Sequence, residues 1–489
     1  MTPNSRPLVA AIASLFATAW LPAHADSLQV LHHFNGDDGT APTGMIQASD
    51  GNFYGAATTG GDREGCLAPD GCGTLFRMEA SGRLQRLHVF EARDGYYPSG
   101  LVEGPSGKLF GVTRLGGQKD RGGGGVLFSI ALGGQGFKIL HRFGDGSVCC
   151  DGARPQPGLF LAGDGMFYGT TEQGGDFRDV DHLGFGTIFR FDPAAGEITY
   201  LHSFQLSDGN GIHPNGYVMQ ATDGAIYGTA REGGAAGGGT MWRIGTDGSG
   251  FQVVAQLPNM ETHSGPTQAA GGALYTTEDI GSGSVFKVAE GVVTVVNQFD
   301  GADGKGPFFP VTQAADGFLY GSTEHGGLLD PQGGDVFRLT TDGDLRVLHS
   351  FDPDVPEGII PNARLIEGID GRLYGTAALG GKKGRGAIFR IAPGDLGPVK
   401  KVSAPKEMQS GKRATGKVTL FEPAPIGGTV VALFAGFGAI TVPPTVTVPE
   451  GQTTATFRID SFKIGVPSSI RIYASVGGQG ARDTVLVNP

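Results

Sequence analysis

Seven positions, one in each repeat unit, carry with the exception of Ala378 residue types from which a polar site can be built. They are Thr58, Arg114, Glu172, Arg231, Asp279, Glu324 and Ala378, with Glu278 beside the fifth. Two carboxyl groups held close together can divide the work of general acid and base, or of acid and nucleophile, in glycoside cleavage. A mixed ring of guanidinium and carboxylate groups can equally bind a polar ligand without reacting on it, or neutralise itself in ion pairs. Arg114, Glu172, Arg231, Asp279 and Glu324 are the candidate ligand-binding residues. No catalytic residue is assigned, because no nucleophile–base constellation stands out.

The elements that must position these residues repeat with them. Each candidate lies just past a short apolar strand closed by an aromatic–glycine dyad: Tyr54-Gly55, Phe110-Gly111, Tyr168-Gly169, Tyr227-Gly228, Tyr320-Gly321 and Tyr374-Gly375, with Tyr275-Thr276 in the fifth unit. An Asp-Gly turn often precedes this strand, as at Asp164-Gly165 and Asp316-Gly317. A strand of the type Val336-Phe337-Arg338 follows it, and then one of the type Leu348-His349-Ser350-Phe351. Four short strands joined by tight turns read as an antiparallel meander. Repetition at this length predicts an all-β fold, a β-propeller of four-stranded blades.

Phase sets the closure. A fourth-strand copy, Leu31-His32-His33-Phe34, precedes any first strand, and none follows the last third strand at Phe389. Seven blades over residues 26–392 then require the N-terminal strand to complete the last one. The second-to-third and fourth-to-first connections, long and varied, share one face, where binding residues belong.

Beyond residue 398 the marks vanish. Residues 393–404 read as a Pro/Gly linker. Alternating strands over 405–489 read as a small β-sandwich, able to fold alone and serving as a spacer or adhesion module.

The ends and the composition point to export. Residues 1–25 combine Arg6, an apolar stretch over 8–21 and Ala23-His24-Ala25, the pattern of a cleaved secretory signal. The mature chain is expected to be secreted or periplasmic, and no later stretch is apolar enough to span a bilayer. Glycine makes up 87 of 489 residues, well above the usual share, and supplies turns. A net charge of −11 argues against nucleic acid as partner. Cys66 and Cys72 are candidates for a local disulfide. Cys149-Cys150 are adjacent, and pairing between the two loops is an alternative.

His32, His88, His141, His202 and His349 share one repeat position and read as structural. His33, His182, His213, His263 and His325 have no metal-like spacing. No cofactor is expected, with calcium kept as a candidate because acidic loops recur at Asp37-Asp38, Asp300 to Asp303 and Asp352 to Asp354. The glycine run at 122–125 lacks the lysine and helix of a phosphate loop.

The pattern around residues 310–351, with Leu319-Tyr320-Gly321-Ser322-Thr323, Gly326-Gly327, Val336-Phe337-Arg338 and Leu348-His349-Ser350-Phe351, resembles the GloVer (Gloeo/Verruco) repeat of exported bacterial proteins. That resemblance implies no defined reaction. The tail, with Thr415-Gly416-Lys417-Val418 and Val448-Pro449-Glu450-Gly451, is similar to bacterial immunoglobulin-like modules. The domain order is also similar to that of secreted copper-radical oxidases. Those draw a histidine ligand from the sandwich, and residues 399–489 contain none. The reading is an exported, non-catalytic binding propeller, with a glycan or a protein as partner at the long-loop face. The alternative is a glycan-active hydrolase or lyase using Glu172 or Glu324 at the channel mouth.

Overall fold

The computed structural model describes residues 28–489 except 62–65, 67–69, 119–122, 146–150, 177–183, 259–262, 328, 330–331, 394–397, 436–438 and 477–478. The expected signal segment, His182 and the Cys149-Cys150 pair lie outside these residues. The fold is all-β and propeller-like. Among the described residues, seven antiparallel sheets of four or five strands succeed one another along the repeat region, and two further sheets follow. The third repeat sheet is representative. Gly152–Pro155 and Phe160–Leu161 both pair with Phe167–Gly174, which pairs with Thr187–Asp192, which pairs with Glu197–Ser203.

The aromatic–glycine dyad has a steric reason. Each dyad glycine lies directly across the ladder from an aromatic residue of the next strand: Gly55 from Phe76, Gly111 from Phe128, Gly169 from Phe189, Gly228 from Trp242, Gly321 from Phe337 and Gly375 from Phe389. A Cβ on Gly169 would stand 2.5 Å from the Phe189 ring, and one on Gly111 2.6 Å from Phe128. The missing side chain is the space the ring fills. The preceding tyrosine is buried and spends its hydroxyl on the turn aspartate, as in Tyr54 to Asp50 (2.8 Å), Tyr168 to Asp164 (2.7 Å) and Tyr374 to Asp370 (2.9 Å). An Asp-Gly turn four residues upstream therefore satisfies a polar group that burial would otherwise strand. Gly169→Ala is expected to cost about 1–3 kcal/mol by overpacking against Phe189. A fall in melting temperature with an unchanged far-UV spectrum checks it.

Neighbouring sheets are stapled by a second device. Ala41, Tyr97, Arg154, His213 and Ile360 each precede a proline and sit in the left-handed region, with φ of 53°, 60°, 57°, 53° and 59°. Such backbone is uncommon outside glycine and persists only where its surroundings hold it. Each donates its N–H to a carbonyl of the preceding sheet: Ala41 to Arg385, Tyr97 to Cys72, Arg154 to Gly124, His213 to Phe185 and Ile360 to Gly333. The proline that follows lies over a glycine of that sheet. A Cβ on Gly386, Gly73, Gly125, Gly186 or Gly334 would come within 2.5 to 2.8 Å of the corresponding proline Cδ. The step from Arg385-Gly386 to Ala41-Pro42 joins the seventh repeat sheet to the first in the same way as the others.

Leu28–His33 supplies the outer strand of the seventh sheet, paired antiparallel with Ala387–Ile391 from Leu28 opposite Ile391 to His33 opposite Ala387. Phe34, at its end, is fully buried with Met45, Phe53, Phe76 and Tyr374. The rings of Phe53 and Tyr374 lie 4.2 Å apart across the joint between first and seventh sheets.

The two C-terminal sheets share one apolar core that includes Val418, Val431, Phe457, Ile459, Ile472 and Val485. The stretch expected as a linker, 393–404, carries a strand of this unit. Val399–Ser403 pairs with Arg413–Leu420, because Val399 and Val402 are both fully buried in the core. The unit also packs against the sixth repeat sheet. Leu345–Ser350, the outer strand there, buries Leu345, Val347 and Leu348 where other outer strands stay half-exposed, and Gln479–Asn488 lies against it.

Candidate functional site

The ring positions lie at the ends of the second strands, Thr58, Arg114, Glu172, Arg231 and Ala378 within the last residues and Asp279 and Glu324 directly after them, on the face where the long connections emerge. The structure joins them in pairs rather than in one cluster. Arg114 and Glu172, on neighbouring sheets, form an ion pair at 2.6 Å. The Glu172 side chain is only 10 % exposed and also lies 3.4 Å from the Gln156 amide. Arg231 pairs with its chain neighbour Glu232 at 2.5 Å. Thr58 turns its hydroxyl onto the Ala41 carbonyl, 3.0 Å away. Glu278 ends its strand buried, and Asp279 after it is the ring residue.

Asp279 meets His263, with Oδ1 3.3 Å from Nδ1. His263 stacks on Phe308, centroids 4.4 Å apart at 11°. Glu324 is held nearby by its backbone N–H, which donates to Gly306 O at 2.9 Å. Burial, reinforced by the Asp279 charge and opposed by His263, pushes the Glu324 carboxyl up to about 7 from an ordinary 4.5. Asp279, Glu324, His263 and Phe308 thus form a patch with a carboxyl that stays protonated into the neutral range, a second carboxyl and an aromatic stack. Sequence spacing singled out the two acids. It passed over His263, whose partner lies 16 residues away, and Phe308, which belongs to no repeat mark.

The raised pKa has a measurable consequence. In the unfolded chain Glu324 ionises near 4.5, whereas in the fold it holds its proton until about 7. Its neutral form costs nothing, so stability is unaffected below pH 4.5. Stability falls as pH rises from 4.5 to 7, by an amount on the order of 3 kcal/mol at full effect. Glu324→Gln is expected to flatten urea-melt stability across that window relative to the native chain.

The repeat histidines serve the scaffold. His32 pairs with Asp38 at 2.8 Å, His141 with Asp151 at 3.1 Å and His349 with Glu357 at 3.0 Å, each ring standing edge-on to the phenylalanine two residues on. These acids belong to the long loops, so these three histidines each anchor a loop to its strand, whereas His202 stacks on Phe251 with its Nε2 buried and, among the described residues, unpaired.

Two of the three acidic loops put forward for calcium have other partners. Asp38 accepts from the Asn35 N–H at 2.8 Å besides His32. Asp300 accepts from Tyr473 Oη at 2.7 Å. Asp303, fully buried, receives Arg482, with Arg471 3.5 Å away. Among the described residues, no group of three or more His, Cys, Asp and Glu side chains is placed to hold a metal ion. Cys66 and Cys72 are joined in a disulfide, Cα atoms 5.4 Å apart, which closes a loop on the candidate face. Among the described residues, no helix is long and apolar enough to cross a membrane.

A profile of the Gloeobacter/Verrucomicrobia repeat matches residues 20–211, 67–279 and 262–424. No curated protein matches the chain. Among solved structures it is similar to a fungal alcohol oxidase of the AA5 family in complex with copper, at 10 % identity over 93 % of this chain and 98 % of that one, TM-score 0.45. It is similar to the Niastella koreensis GH74 enzyme at 13 % identity over 94 % and 67 %, TM-score 0.47. It is also similar to a Penicillium chrysogenum α-L-arabinanase complexed with arabinobiose, at 14 % identity over 60 % and 92 %, TM-score 0.40. Likeness at this level carries no chemistry to this chain.

Proposed function

The chain belongs to the Gloeobacter/Verrucomicrobia repeat family, and we propose that it is an exported seven-bladed β-propeller that binds a hydroxyl-rich ligand, a glycan, at its long-loop face. In this reading residues 1–25 are a removable signal and Leu28–His33 closes the ring. Residues 405–489 are an immunoglobulin-like β-sandwich. The observation that carries the binding role is the patch of Asp279, Glu324, His263 and Phe308. Carboxyl groups take sugar hydroxyls as paired hydrogen bonds, and an aromatic ring offers its face to the C–H surface of a sugar. Arg114 with Glu172, and Arg231, extend the polar rim around the same face.

A second reading has one observation in its favour. A carboxyl that keeps its proton up to about 7 beside another carboxyl is what a general acid in glycoside cleavage requires. In that reading Glu324 protonates the leaving oxygen and Asp279 is the second acid. Screening the mature chain on a glycan array, then on the same glycans for released product, separates the two. The expected result is binding without turnover, weakened about tenfold by Glu324→Gln through loss of one hydrogen bond to a sugar hydroxyl. Product release that Glu324→Gln abolishes overturns the binding-only reading in favour of cleavage.

A further inference from the structure

Between the innermost strands of the repeat sheets runs a channel of about 310 Å³. Its wall is mostly apolar, with Met45, Leu101, Leu159, Val218 and Leu365 contributed by different sheets. Arg364 interrupts it. This residue lies between Ile359–Pro361 and Ile366–Glu367, the two parts of the innermost strand of the seventh sheet. Its Nε donates to Thr312 Oγ1 at 3.1 Å, and that hydroxyl donates in turn to Leu365 O at 2.6 Å.

One bond leaves most of the guanidinium's five donors to the channel. Among the described residues Arg364 has no ion pair. Glu367, the other charged residue of the wall, accepts the Ala315 N–H at 2.8 Å, in a tight turn of the opposite face. Tyr217 completes the arrangement from the fourth sheet. It crosses so far that a Cβ on Gly44, in the first sheet, would lie 4.0 Å from its hydroxyl. Among the described residues that hydroxyl has no hydrogen-bond partner.

A guanidinium cannot escape enclosure by losing its proton, and an enclosed charge without a counter-charge is costly. A second role is available to Arg364, bridging the sixth and seventh sheets through Thr312, but an uncharged donor would serve that as well. What the charge adds is attraction for an anion. Its fork fits the two oxygens of a carboxylate. The wall offers no second cation, which suits one negative charge rather than a phosphate dianion. The space lies at the small end of ligand cavities.

We propose that the axial channel binds a small monocarboxylate, its oxygens paired with Arg364 and one of them accepting from Tyr217, its carbon body against the apolar wall. The residues involved are separate from the Asp279–Glu324 patch, so this site stands whether or not that patch binds glycans.

Calorimetric titration of the whole mature chain with D-glucuronate and L-lactate tests the assignment, with D-glucose and inorganic phosphate as controls. At least one of the two acids is expected to bind, more tightly than either control. Arg364→Gln is expected to weaken that binding at least tenfold, and Tyr217→Phe several-fold. Because Arg364→Gln can disturb folding, the native chain provides a parallel reading: the bound acid should slow phenylglyoxal modification of Arg364, followed by peptide mass mapping. Failure of both acids to bind, tighter binding of phosphate, unchanged affinity in a folded Arg364→Gln, or no protection of Arg364 each overturns the proposal.

Discussion

Arg482→Ala is expected to loosen the C-terminal unit from the sixth repeat sheet and to lower the stability of the joined protein by about 3–5 kcal/mol. Arg482 binds the Asp303 carboxylate on one side and donates to Asn297 Oδ1 at 2.6 Å on the other. Asp303 is fully buried, and burial pulls Arg482 down to about 10. Such a pair need add little net stability compared with an apolar replacement. Removing one partner is different, because Asp303 would remain enclosed with Arg471 at 3.5 Å as its cation and the Asp300 N–H at 2.9 Å as its donor. Scanning calorimetry is expected to show one coupled transition splitting into two. Trypsin should also gain access to residues 393–404. Asp303→Asn together with Arg482→Ala should recover part of the loss, since no carboxylate is then stranded. An unchanged thermogram for Arg482→Ala would mean that the surfaces around Leu345 and Val347 hold the units together without the ion pair.

Deleting residues 28–34 should have the larger effect. The deletion strips the outer strand from Ala387–Ile391, opening a row of N–H and C=O groups to solvent. It also removes Phe34 from the cluster with Met45, Phe53, Phe76 and Tyr374, where the first and seventh sheets meet. Loss of a fully buried phenylalanine alone costs about 3–5 kcal/mol. The truncated chain is expected to aggregate or to melt without a cooperative transition. Phe34→Ala in the full-length chain separates the side chain from the strand: it should melt cooperatively, several degrees lower. A cooperative, native-like melt of the truncated chain would show that the sheets close without this strand.

The scaffold was legible because its rules are local. Gly169 faces Phe189 within one sheet, and Tyr168 reaches an aspartate four residues away, so both marks recur in every unit that keeps the geometry. Thr276 in place of the glycine marked the fifth unit as irregular, and Thr276 does lie opposite Phe286 there. Side-chain partners across sheets were not legible. Arg114 and Glu172 are 58 residues apart, and equal repeat positions reveal that they share a face but not that they neutralise each other. Asp300 and Asp303 looked like loop acids open to a cation. Their cations are arginines about 170 to 180 residues downstream, in a unit whose docking has no repeat signature. The left-handed residues before proline escaped for another reason. Ala41, Tyr97, Arg154, His213 and Ile360 share no side-chain chemistry, and although each stands third in a Gly-x-x-Pro stretch, a residue before proline is ordinarily extended, so only the backbone displays the left-handed turn.

The staple from Gly386 to Pro42 joins the seventh repeat sheet back to the first. Leu28 and Ile391 are cross-strand partners, so a short hairpin turn could join them once the C-terminal unit is detached. The chain could then begin at another tight turn, such as Asp223-Gly224, and still offer every proline its glycine and every ring its gap. Where the chain of the repeat region starts is thus not dictated by the contacts between its sheets.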